Sequence, residues 1–102
     1  MADVTIVYWR DIPAQVIVGK GRRGSKMPLP ERFEKAIDRA AMMAGARDTD
    51  SYLADWRKAE PYSVDGDPDA VATTEAARLD QAYDDRRLAQ LVANMGRQVQ
   101  PG

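Results

Sequence analysis

The run Val4-Thr-Ile-Val-Tyr-Trp-Arg10 constrains the fold more than any other segment of this chain. β-branched and aromatic residues dominate it, and such residues fit a pleated, half-buried surface. Ile6 and Tyr8 fall on one strand face, Val7 and Trp9 on the other. Both faces are apolar, so the strand is expected to be central and covered on at least one side. Asp11-Ile12-Pro13-Ala14 interrupts it. Val16, Ile17 and Val18 then resume the pattern up to Gly19. This predicts an antiparallel hairpin, Val4 to Lys20, with Pro13 at its tip, where no ladder hydrogen bond is needed.

A two-stranded hairpin is marginal in water, and a third strand makes a viable sheet. Residues 49–60 are the candidate. Alternation puts Tyr52, Ala54 and Trp56 on one strand face, although Leu53 and Trp56 are three apart and Thr49, Asp50 and Ser51 would also cap a helix. The need for a third strand favours strand. Elsewhere helical spacing is clear. Phe33, Ala36, Ile37, Ala40, Met43 and Ala44 form one apolar stripe after Pro30, with Glu31 and Glu34 at the positive end of the helix dipole and Gly45 as a stop. Met27 to Pro30 leads into this helix. Residues 61–66 read as a linker. Asp67 then caps a long helix with Pro68 at its first position. Its stripes, Ala72/Ala76/Leu79/Tyr83 and Leu88/Leu91/Val92/Met95, change phase near Asp84-Asp85, which marks a kink or a second helix capped by Asp84. The expected architecture is α+β in the order β-β-α-β-α: a small three-stranded antiparallel sheet with two helices on one face. It forms a single domain over residues 1–95 with a flexible tail, 96–102.

The 102 residues carry a net charge of −1, with neither cysteine nor histidine. Disulfides, thiolate or imidazole zinc sites, cysteine nucleophiles and histidine bases are thereby excluded. No global field draws the chain onto nucleic acid or membrane. The N-terminal residues lack a signal-peptide pattern and no apolar run reaches membrane-spanning length, so a cytoplasmic location is expected.

Gly19, Gly21 and Gly24 spell G-x-G-x-x-G, but Pro28 and Pro30 separate them from the helix that a pyrophosphate would need. Gly24-Ser25-Lys26 inverts the Lys-Ser order of a P-loop, in which Lys reaches the phosphates and the hydroxyl holds magnesium. Asp65 to Asp69 begins like a calcium loop, yet Ala70 and Ala76 occupy its required Gly and Glu positions, and a helix cap explains it better. Lys20, Arg22, Arg23 and Lys26 among glycines suit a phosphate, an acidic protein face or an RNA backbone, or simply a solvated loop. Tyr8, Trp9, Tyr52, Trp56 and Tyr62 suit core packing better than a base-stacking platform. Glu75 with Asp84 or Asp85 reads as solvated helix face.

The segment Ile6-Val-Tyr-Trp-Arg-Asp-Ile-Pro-Ala-Gln-Val16 resembles the start of the bacterial virulence factor domain family, a domain similar also to the C-terminal part of conserved virulence factor C of staphylococci. Asp50 to Arg57, Glu75 to Leu79 and Tyr83 to Leu88 fit the same pattern, so the resemblance covers nearly the whole chain. It implies a bacterial cytoplasmic accessory protein associated with folate and corrinoid methyl transfer, and brings no catalytic residues with it.

The function expected is therefore a non-enzymatic module that grips a protein partner through Arg10, Asp11, Pro13, Gln15, Lys20, Arg22, Arg23 and Lys26, with no catalytic residue, metal or cofactor. The alternatives are an accessory protein holding a phosphate-bearing ligand at the basic glycine loop, and an RNA-binding module.

Overall fold

The computed structural model describes residues 2–19, 24–45 and 49–98. The order is β1 (Ala2–Trp9), β2 (Ile12–Val18), β3 (Ser25–Pro28), α1 (Glu31–Met43), α2 (Thr49–Ala54), β4 (Trp56–Lys58), β5 (Tyr62–Val64), α3 (Pro68–Ala82) and α4 (Asp85–Ala93). The class is α+β and the sheet antiparallel, as expected. Among the described residues the sheet has five strands rather than three, and four helices accompany it rather than two.

β1 is central. It pairs with β2 along one edge, and on the other with β4 through Val7–Trp9 and with β5 through Ala2–Val4. β3 adds to the outer edge of β2. Val4 opposes Val18 and Ile6 opposes Val16, and all four are buried on one face. Phe33, Ala36, Ile37 and Ala40 of α1 and Val71, Ala72, Ala76 and Leu79 of α3 complete the same core. Thr5, Val7, Gln15 and Ile17 share the opposite face and are half-buried.

Four local expectations change. The hairpin turn is Arg10–Asp11, not Asp11–Ala14, because Trp9 pairs directly with Ile12. Arg10 takes φ 53°, and two-residue hairpin turns require a positive φ at their first central position. Pro13 is not at the tip. It lies within β2 opposite Tyr8, fully buried, beside a register shift between Val7 and Tyr8 that accommodates it. Residues 49–54 are helical, and strand is confined to 56–58. The alternation through Ala54 marks no buried face, since Ala54 is exposed. Instead Tyr52 and Trp56, four apart, meet edge-on with ring centroids 5.9 Å apart. Ser25–Pro28, expected as the end of the basic loop followed from Met27 by the lead-in to α1, is an edge strand, where Pro28 costs the ladder least.

The helix ends follow the expected chemistry. Gly45 closes α1 at φ 75°. Asp67 accepts from Ala70 N, and Asp84 accepts from Arg87 N at 2.8 Å, so the second cap begins a separate helix. Met43 lies outside the core stripe; it and Met42 are exposed.

Candidate functional site

Among the described residues three polar constellations and a groove between two helices stand out. The first surrounds the hairpin turn. Arg10 N donates to Asp55 O (3.0 Å), its Nε to Asp55 Oδ2 (3.1 Å) and its Nη1 to Met95 O (2.7 Å), while its guanidinium lies 4.8 Å from the Trp9 ring centroid. Asp11 N donates to Gly96 O (2.8 Å), and its carboxylate accepts from Arg57 Nη2 (3.2 Å) and Gln98 N (2.6 Å). Arg57 Nε donates to Arg10 O, and its guanidinium covers Tyr8. Trp9, fully buried, donates from Nε1 to Tyr52 O and stacks on Tyr52. The turn is thus a clasp. It joins the hairpin to the α2–β4 segment and to the turn that follows α4, including Gly96–Gln98, where a flexible tail was expected to begin.

This reassigns the residues that the sequence singled out. Arg10 and Asp11 spend their hydrogen-bonding groups inside the molecule, and Pro13 offers no surface. Gln15, half-buried, and Lys26, exposed, share one sheet face, Gln15 opposite Pro28 and Lys26 opposite Ile17. Lys20, Arg22 and Arg23 lie outside the described residues. Among the aromatics, Trp9, Tyr8, Tyr52 and Trp56 pack on the core.

The second constellation corrects the reading of Glu75 as solvated. Among the described residues it is the one buried charged side chain. Tyr62 OH donates to Glu75 Oε1, and Arg78 donates from Nε to Glu75 Oε2 (3.0 Å) and from Nη2 to Tyr62 OH (3.2 Å). Burial alone would raise the Glu75 carboxyl, but the donors Arg78 and Tyr62 outweigh it and hold it below its ordinary value. Burial, then the bond to Glu75, pushes the Tyr62 hydroxyl up. The trio fastens β5 to α3. Neither sequence spacing nor charge count signalled it, because Tyr62 is brought to Glu75 by the sheet.

The third is Arg32. It donates to Asp80 Oδ1 (2.6 Å) and to Asp80 O at the end of α3, and from Nη1 to Asp85 Oδ1 (3.3 Å) at the start of α4. It therefore sets the spacing of three helices.

That spacing leaves an open groove of about 500 Å³ between α1 and α4. Ala36, Met43, Leu88, Ala89, Val92 and Ala93 give it apolar lining, and Arg32, Lys35 and Arg39 stand along the α1 side, with Asp85 at one end. Among the described residues no group of three or more Asp, Glu, His or Cys side chains is placed to hold a metal ion, and no helix is long and apolar enough to cross a membrane.

No curated protein and no solved structure matches the chain. The model of the family described as "Virulence factor" matches residues 7–92, which begin within β1 and end in α4 and so take in the turn clasp up to Arg57, the Glu75 trio and the groove up to Val92. The chain belongs to the virulence factor family.

Proposed function

We propose that the chain is a non-enzymatic protein-interaction module serving a bacterial cytoplasmic pathway, its association with virulence being that of the family name. The α1–α4 groove carries this reading. It joins apolar lining to a cationic flank, and a concave, partly apolar surface with a few placed polar groups is where a binding site is first sought. The polar clusters elsewhere support the same reading, since the turn clasp and the Glu75 trio are occupied in holding elements together.

The test is site-specific photocrosslinking in bacterial cells, with the photoreactive residue placed in turn at Met43, Lys26 and Asp65. A discrete protein adduct from at least one position supports an interaction module. Absence of any discrete protein adduct from all three positions overturns it.

A further inference from the structure

We propose that the α1–α4 groove receives an acidic amphipathic helix of a partner protein. The inference rests on the reading of the chain as an interaction module and names the chemistry of what it binds.

The charges of α1 are segregated by sign. Arg32, Lys35 and Arg39 follow one another at helical spacing along the flank that borders the groove. Glu31, Glu34 and Asp38 follow the same spacing on the other flank. Asp38 and Glu34 act on the Tyr52 hydroxyl, whose pKa is raised by burial first and then by these two carboxylates, so that flank faces the α2 side. The groove is therefore lined by three cations against one carboxylate, Asp85, in a chain whose net charge is −1.

Two of the cations are available. Arg39 has no ion pair among the described residues. Lys35 meets Glu31 at 3.7 Å, with both side chains largely exposed. Such surface pairs are worth little and exchange readily for a partner's carboxylate. Arg32 is held by Asp80 and Asp85 and serves as the fixed end of the row.

The floor suits a helix. Ala36, Ala89 and Ala93 are small and let a third helix approach closely, while half-buried Val92 offers an apolar ridge above the buried Leu88. Met43, 52% exposed, and its neighbour Met42, 72% exposed, stand at the C-terminal end of α1. Methionine adapts its shape to an incoming side chain. At 1.5 Å per residue α1 is about 20 Å long and α4 about 14 Å, which matches a partner helix of about three turns. Its apolar stripe would lie over the alanines and its carboxylates along Lys35 and Arg39, the helix-in-groove mode of recognition.

The experiment selects ligands for the full chain from a displayed library of random 16-residue peptides, then measures binding of the enriched peptides by fluorescence anisotropy. Acidic sequences with apolar residues at helical spacing are expected. Lys35→Glu combined with Arg39→Glu, and separately Ala89→Arg, should each weaken binding by about tenfold or more while the melting temperature stays near that of the parent. Affinity should fall as salt rises. Enrichment of peptides without acidic residues overturns the proposal. So does binding that both variants leave intact, which places the contact elsewhere and leaves the interaction reading standing. Enrichment of nothing, combined with no photocrosslinked adduct, removes both. A concentration-dependent dimer abolished by Ala89→Arg would assign the groove to a second copy, and equal competition by anionic vesicles or by polyuridylate would assign it to a generic polyanion; each of these overturns the proposal.

Discussion

Gly96 lies against the indole of Trp9 so closely that a Cβ built on it would stand 2.8 Å from Trp9 Cζ3. Gly96 also takes φ 88°, where an L side chain is strained. Gly96→Ala is expected to destabilise the fold by about 2–3 kcal/mol through overpacking and backbone strain together. A urea midpoint equal to the parent's, at unchanged slope, would refute this. Because Trp9 is the probe nearest the change, its fluorescence should report loss of the clasp.

Arg10 supplies a second contrast. A non-glycine residue at φ 53° is strained, yet its guanidinium ties Asp55 and Met95 to the turn. Arg10→Ala loses the ties and keeps the strain, whereas Arg10→Gly loses both. Both variants should be less stable than the parent, and the glycine variant should exceed the alanine variant by about 1 kcal/mol. An alanine variant at least as stable as the glycine variant would contradict the strain.

The Glu75 trio makes stability depend on pH. The Glu75 carboxyl lies below its ordinary value of 4.5 in the folded state. Its contribution is therefore present above the ordinary value and lost as pH falls through the folded value. Tyr62 is raised above 10.0, so its contribution is present below that value and lost as pH rises through the folded one. Glu75→Gln should flatten the acid side of the stability curve below 4.5, and Tyr62→Phe the alkaline side above 10.0. Unchanged slopes in denaturation at stepped pH would remove the trio as a source of the dependence.

The break between α3 and α4 should rest on Asp84. Its carboxylate accepts from Arg87 N at 2.8 Å, a closer cap than Asp67 makes with Ala70 N at 3.3 Å. Asp84→Ala is expected to cost about 1 kcal/mol, and Asp67→Ala less. The reverse order in thermal denaturation would show that capping distance does not decide here.

The elements legible in the sequence were those with a strong local signature. β1 and β2 carry β-branched runs, α1 has a clean stripe with Gly45 behind it, and α3 and α4 each begin at an aspartate cap. β3, β4 and β5 are three or four residues long and mostly exposed. They exist because β1 and β2 offer edges, which no local pattern reports. The turn was misplaced because Pro13 looks like a turn residue and Arg10 at positive φ does not. The same cause hid the role of Arg10 and Asp11. Their polarity suggested an exposed grip, but their partners Asp55, Arg57, Met95 and Gln98 arrive from distant parts of the chain. Of the groove, the apolar stripe of α1 was visible, while the wall that faces it belongs to α4.

The clasp also sets a timetable for synthesis. Asp11 and Gln98 are separated by 87 positions. At about 5–20 residues per second, a ribosome takes roughly 4–17 s to add that much chain. The β1–β2 hairpin has its own strands early, but Trp9 gains its cover against Gly96 only at the close of that interval. A growing chain therefore holds the Trp9 indole covered by Tyr52 at most, and without its Gly96 side, until the last residues of the clasp are made.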